Sequence, residues 1–527
     1  PSAAVQGRRG IVWRECGDGL ECGTLSVPVD WARPRGLRTQ IDLARMPARD
    51  PYRGLGALVV NTGAPSTIQD VRARPDTVSE LTRWFDVVLV EPRGIGDRGS
   101  RAMVRCSVPP PDPLLLQLAP GRASWRSYAR QNAAYGKSCR IAAGPAYGGL
   151  TARQTAHDLD ALRAALGERR LRYFGNGYGA VYGLAYLELF PRRVERMYLE
   201  GVPDLGEPSL ERRATARARA AERRLGHFRD WCRSRLGCPL DDDAPAVIDD
   251  LYERVPLPAG AGRTLDARGV AAAVYAGLEP GRWPELARAL SQAEEGDAAA
   301  LAAMTDVPPQ AGPATVTRAA ACRDFGPAVP THTELVALEE RLRAPAPRVG
   351  WLSARHEAAH CLGLPGPAQP PGIRLPGLVR LPGAASSAGP MRLPGALQSS
   401  ESGGLPGVVP SAAPEHRPDA VQSSGPGDLP GVVPSPGTSR LPGSGQASGA
   451  PRRAEGASVL VGVGRLDIGA VRVPGAAVLR HGDGPGAYLL QGEAKLRAAC
   501  LRTRVHDYLV NGVRPRASCS GELVADP

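Results

Sequence analysis

Apolar runs that alternate with helical stretches constrain this chain more than any other feature. IDLARM (41 to 46), ALVV (57 to 60), DVVLVEP (86 to 92), LRYF (171 to 174), RMYLEGV (196 to 202), SVLVGVG (458 to 464) and AAVLR (476 to 480) have the length and composition of strands. Several are apolar without a break, which suits a sheet covered on both faces. Between them, HDLDALRAALG and the amphipathic stretch AVYGLAYLELF place apolar residues at helical spacing. This alternation predicts an α/β fold: a mostly parallel sheet with right-handed crossovers and flanking helices. At 527 residues the chain is too long for one compact core, so at least two packed units are expected.

Two stretches break the pattern. From about 206 to 363 the sequence turns helical and rich in Arg and Ala, as in RRATARARAAERRLGHFRDW and WPELARALSQAEEGDAAALAAM, with no good strand. A helical insertion over one end of the sheet follows. From about 364 to 455 Pro, Gly and Ser dominate. Leu-Pro-Gly begins at Leu381, Leu393, Leu405, Leu429 and Leu441, with a degenerate copy at Arg417, a steady period of twelve. One or two apolar residues per period cannot bury a core, and proline breaks any ladder, so a disordered or polyproline-like loop is expected. Glycine is not every third residue, which excludes collagen; a repeated ligand for a partner domain is the functional alternative. The expected organisation is core 1–205, cap 206–363, repeat insertion 364–455 and closing core 456–527.

The net charge of +12 raises the question of nucleic acid, but the arginines are scattered and aromatics make up only 5%. No basic stripe interleaved with stacking rings appears, and the near absence of lysine (Lys137 and Lys495) looks like coding bias. No apolar run approaches the ~20 residues of a membrane span. Ten cysteines fall as neighbours: Cys16 and Cys22, Cys106 and Cys139, Cys232 and Cys238, Cys322 and Cys361, Cys500 and Cys519. Sequential pairing would staple loops and fits an oxidising compartment, the alternative being buried free thiols. The chain begins at Pro1 without a charged or apolar leader, as expected after removal of a signal peptide, so a secreted, soluble protein is anticipated.

Gly175-Asn176-Gly177-Tyr178-Gly179 links the run LRYF to a helical stretch. Strand, Gly-x-X-x-Gly, helix is the layout in which an α/β-hydrolase presents a nucleophilic serine. Here the central residue is Gly177. The surrounding sequence resembles the secreted tripeptidyl aminopeptidase-like α/β-hydrolases of actinomycetes, relatives of the prolyl aminopeptidases. The resemblance runs through CGTLSVPVDWARP, FDVVLVEPRGIGDRGS, the block from TARQTAHDLDALRAALG to EGVPD, RWPELARALSQAEEGD, AACRD, VLVGVGRLDIGA and the tail from Cys500 to Cys519. It implies the α/β-hydrolase fold with a helical cap.

In such hydrolases a serine attacks, a histidine takes its proton and an aspartate orients the histidine. The resemblance puts Gly177 at the serine, Pro485 of HGDGPGAY at the histidine and Asp467 of GRLDIG at the acid. Only the acid is kept; without its histidine it is either an unpaired carboxyl whose pKa an apolar pocket would raise, making it a proton donor or acceptor, or a solvated relic. The family's oxyanion loop becomes Asn61-Thr62-Gly63-Ala64-Pro65-Ser66, in which the side chains of Ala64 and Ser66 would narrow the approach over Gly63. The backbone N–H of Tyr178 survives as a donor, and Asn176 and Tyr178 flank the elbow, pointing away or lining its walls. Losing serine or histidine alone removes about six decades of turnover.

A rival constellation is His356-Glu357-Ala358-Ala359-His360, which resembles the zinc-protease HEAAH helix. His356 and His360 would share a helix face, but the third ligand position is Gly366, and an exposed cap helix is the simpler expectation. The expected function is a binding or non-hydrolytic role toward peptides or a small metabolite, without a cofactor, metal or nucleic acid. The alternative is an enzyme using the same pocket, either a residual or relocated peptidase or esterase, with His481 as a displaced base, or a cofactor-free reaction.

Overall fold

The computed structural model describes residues 11–366, 379–380, 458–464, 471–482, 487–491 and 498–519, apart from single positions and short gaps at 97–99, 241–242 and 308–313. One unit comprises Pro1–Gln398 and Gly456–Pro527; the second, Ser399–Glu455, lies outside the described residues. The twelve-residue repeats beyond 380 therefore fall outside them too.

Among the described residues the sheet has nine strands: β1 (Arg14–Glu15), β2 (Glu21–Pro28), β3 (Arg38–Met46), β4 (Ala57–Asn61), β5 (Asp86–Val90), β6 (Leu171–Asn176), β7 (Val194–Glu200), β8 (Val459–Gly464) and β9 (Ala477–His481). Their spatial order is β1-β2-β3-β5-β4-β6-β7-β8-β9. The first three pair antiparallel, and β3 meets β5 antiparallel; from β5 to β9 every pairing is parallel. This is the α/β-hydrolase arrangement, a large mostly parallel sheet flanked by helices. All seven apolar runs form strands. β2 and β1 were not anticipated: ECGTLSVP alternates polar and apolar residues and lies half exposed on the sheet margin.

The continuous runs form strands because each face has its own cover. Val59, Val88, Tyr173 and Met197 pack on the side of α2 (Ala152–Ala165) and α3 (Tyr178–Leu189). Leu58, Val60, Phe85, Phe174 and Tyr198 pack with α1 (Thr67–Ala73) and α8 (Ala499–Asn511). Full burial of such a side chain stabilises by about 1.5–3 kcal/mol. α3 is not amphipathic as expected: Tyr178, Ala180, Val181, Gly183, Leu184, Ala185 and Tyr186 are all buried, so residues on every side of the helix are covered.

The cap joins α4 (Leu210–Arg233), α5 (Ala267–Gly277) and α7 (Ser353–Cys361) around Phe228, Trp231 and Trp283, whereas α6 (Thr317–Phe325) packs through Ala321 and Phe325 with the residues on the α2 and α3 side of the sheet. The cap is not wholly helical. Leu257–Pro258 pairs with Thr264–Leu265, and Ala314–Thr315 pairs with Arg105–Cys106. Five disulfides join the cysteines sequentially, leaving none free. No helix among the described residues is long and apolar enough to cross a membrane.

Candidate active-site elbow

β6 passes into α3 through Gly177 alone, at φ 54° and ψ −119°. That backbone region is sparse for any residue with a Cβ. The Gly177 N–H donates to the Glu200 carbonyl at 2.9 Å, and the Gly177 carbonyl accepts from Ala180 N at 3.1 Å, so strand, elbow and helix are locked together. A Cβ built on Gly177 meets nothing within 4 Å. The space for a side chain is there and the side chain is not. Gly175 and Gly179 differ: a Cβ on Gly179 would stand 2.5 Å from the Asn61 carbonyl oxygen, and one on Gly175 2.6 Å from the Gly179 carbonyl oxygen.

The loop after β4 packs against this elbow. Gly63 has φ +76°, and a Cβ there would lie 2.2 Å from the Asn176 carbonyl oxygen. Asn61 fixes the loop, its Nδ2 donating to the Val90 carbonyl at 3.0 Å and its Oδ1 accepting from Gly63 N at 3.1 Å. Asn176 Nδ2 donates to the Thr62 carbonyl at 2.9 Å, so that side chain ties the wall together. Tyr178 is buried edge-on against Tyr182 and Phe325, with ring centroids 5.2 and 6.3 Å away. Ala64 is half-buried. Ser66 does not narrow the approach as expected. Its Oγ donates to Glu91 Oε1 at 2.6 Å and accepts from Gln69 N at 3.2 Å, because it caps α1.

Three buried carboxylates near this edge were not singled out from the sequence. Glu91, directly after β5, accepts from Ser66 Oγ, Thr67 N and Ile68 N, and burial pushes its carboxyl up to about 7. Asp324, in α6, accepts from Ala152 N and is likewise pushed up to about 7 by burial. Glu200 ends β7 and accepts from Tyr488 N at 3.2 and 3.3 Å. Glu91 and Glu200 share one available signal, an acidic residue directly after an apolar run at the end of a strand, in LVEP and YLEG.

Glu91 gives a pH prediction. The folded chain holds this proton to about pH 7, whereas the unfolded chain releases it near 4.5, so folded protein binds more protons between those values and stability falls as pH rises through them. Glu91→Gln carries no such charge. Its stability relative to the unaltered chain should rise by roughly 3 kcal/mol between about pH 4 and pH 8. Urea unfolding at both pH values measures this, and a pH-independent difference would show that Glu91 is not held protonated.

Asp467 and Pro485 lie outside the described residues. Nearby, His481 is buried with Nε2 3.8 Å from Glu200 Oε1, and burial pushes the imidazole down to about 4, leaving it neutral. Its contact crosses β8 at Gly462 and Gly464, which carry no side chain to intervene.

The HEAAH segment is not an exposed helix. Every residue of α7 is buried, His360 completely, and Arg217 Nε donates to Glu357, occupying the carboxylate that would have to act on a metal-bound water. Cys361 is bonded to Cys322, and Gly366 offers no ligand. Among the described residues no group of three His, Cys, Asp or Glu is placed to hold a metal.

No family model matches the chain. It is 30% identical over 316 residues to the serine protease Hip1 of Mycobacterium tuberculosis, covering 55% of this chain and 59% of that one. It is 29% identical over 269 residues to the tripeptidyl aminopeptidase of Streptomyces coelicolor, covering 48% and 49%. Carboxylesterase B of Mycobacterium tuberculosis is 28% identical over 304 residues, covering 54% and 57%. The chain thus spans less than two thirds of these curated relatives. A solved hydrolase from Pseudomonas aeruginosa is similar over 57% of this chain and 74% of its own, at 15% identity and TM-score 0.19. The strand order itself is that of an α/β-hydrolase sheet.

Proposed function

We propose that this chain is a ligand-binding or otherwise non-hydrolytic protein on a peptidase- and esterase-like α/β-hydrolase frame. Its ligand is a peptide or a small metabolite, met in an extracellular, oxidising compartment that suits five disulfides. One observation carries the reading: the elbow that would present a serine is Gly177, with an intact backbone turn, open space above it and no attacking atom. Pro485, at the base position by resemblance, has no group to carry a proton. Acyl transfer without both groups falls by about six decades, leaving only what binding and backbone donors supply.

The test is a panel of aminopeptidase and esterase substrates offered to the unaltered chain and to the Gly177→Ser, Pro485→His double variant. The unaltered chain should stay at background, about 10⁶-fold below a working triad, and the double variant should rise above it. Turnover by the unaltered chain at ordinary hydrolase rates would sink the proposal. For any ligand found by thermal shift, a binder returns it with unchanged mass and isomer, whereas a cofactor-free enzyme does not.

A further inference from the structure

A hollow of about 230 Å³ lies at the end of the sheet opposite the elbow. Ile11, Trp13, Val88 and Leu166 give it apolar walls, and Asp86 and Glu168 bring carboxylates to its lining. Ala57 and Asp86 are the first residues of the parallel strands β4 and β5, whereas the elbow follows the last residue of β6. The length of β4, about 13 Å at ~3.3 Å per residue, therefore separates the two places.

Glu168 is fixed from both sides. Its Oε1 accepts from Ala57 N at 2.7 Å, and only a glycine at 56 admits it, since a Cβ there would stand 2.3 Å from that oxygen. Asp86 Oδ1 accepts from Ala48 N at 2.8 Å, and no cation among the described residues pairs with this carboxylate. Arg45, in the same lining, does not neutralise it: the guanidinium donates to Glu21 and lies 4.9 Å from the centre of the Trp13 ring. Arg172 is shared between Glu168 and Glu195, and Arg163, which donates to the Glu168 carbonyl, is paired with Asp160. The charged lining groups and their side-chain ion partners are thus two guanidiniums, Arg45 and Arg172, against four carboxylates, Glu21, Asp86, Glu168 and Glu195. In a chain of net charge +12 this is a local excess of negative charge.

A carboxylate excess selects a cation, which can make charge-assisted hydrogen bonds to it, and apolar walls select one with a hydrocarbon body. The size limits that body. Sites for drug-sized ligands run from about 300 to 1,000 Å³, so this one takes a single ring or a short chain. We propose that the hollow binds a small primary amine, its ammonium on Asp86 and Glu168 and its hydrocarbon against Trp13, Val88 and Leu166. It is a second site, independent of whatever binds at the elbow.

The probe is phenethylamine, with 2-phenylethanol as its neutral counterpart. Calorimetric titration of the full chain should give a Kd on the order of 0.1–1 mM for the amine and at least about tenfold weaker binding for the alcohol. Asp86→Asn, which leaves Ala48 N its acceptor, should weaken the amine about tenfold without lowering Tm. Ala165→Phe, which fills the hollow from the end of α2, should abolish binding, and the Gly177→Ser, Pro485→His double variant should bind as the unaltered chain does. Crystals soaked in phenethylamine should show it against Trp13. Equal binding of amine and alcohol, an amine seated only at the elbow, or a hollow already filled by the chain's own Arg8 or Arg9 would each overturn the proposal.

Discussion

Gly179→Ala lowers the stability of the fold by about 4 kcal/mol, while Gly177→Ala, two residues earlier, costs only about 1–3 kcal/mol. The two glycines serve different physical ends. At Gly179 the new methyl would stand 2.5 Å from both the carbonyl oxygen and Oδ1 of Asn61. Neither can yield cheaply: Asn61 is the last residue of β4, its amide is bonded to Val90, and its Oδ1 holds Gly63 N. Helix and strand must separate, which unpicks the wall of the site. At Gly177 the methyl meets nothing within 4 Å, so the whole cost is backbone, the strain of φ 54° with a Cβ present. Gly177→Ser should therefore fold, which is what makes it usable as a restoring substitution. Urea unfolding of the two alanine variants, with equal m-values, measures the difference. Equal costs would mean that the elbow is not held by close approach of α3 to β4.

The same contrast explains how far the sequence could be read. The seven strands and the elbow were legible because their cause is local: unbroken apolar runs need two covered faces, and a Gly-x-Gly-x-Gly between strand and helix needs a tight turn. β2 was missed because ECGTLSVP, half exposed at the margin and pairing only with β1 and β3, alternates around a glycine and ends on a proline. α3 reads as amphipathic because its sequence gives no sign that neighbours cover every side. HEAAH reads as an exposed cap helix because short motifs recur by chance in alanine-rich helices, and the partner that permits its burial, Arg217, lies 140 residues away. Glu91, Glu200 and Asp324 were overlooked for the same reason. Their environment is set by neighbouring strands and by the cap, not by adjacent residues.

Asp158→Ala should cost about 3–5 kcal/mol, because it leaves the Arg93 guanidinium buried without its counter-ion. The pair is almost fully enclosed, at 3% and 2% side-chain exposure, and doubly bonded, Nε to Oδ2 at 2.7 Å and Nη2 to Oδ1 at 2.5 Å. Trp31 Nε1 donates to the same carboxylate at 2.8 Å, and would lose its acceptor too. Burial pushes the Asp158 carboxyl up while Arg93 draws it down, the signature of a charge that depends on its partner. The consequences reach the site, since Arg93 follows the Glu91-Pro92 step and Glu91 holds Ser66 and the start of α1. Converting both residues, Arg93→Met with Asp158→Leu, removes the unpaired charge and should cost less than the two single changes added together, by about 2 kcal/mol. It should not return to the unaltered value. The guanidinium also donates to the carbonyls of Val29, Gly149 and Pro28, and methionine offers them nothing. A double-mutant cycle in urea reads this coupling directly; strictly additive losses would show that the two residues stabilise the fold separately and that no ion pair anchors the turn beside the elbow.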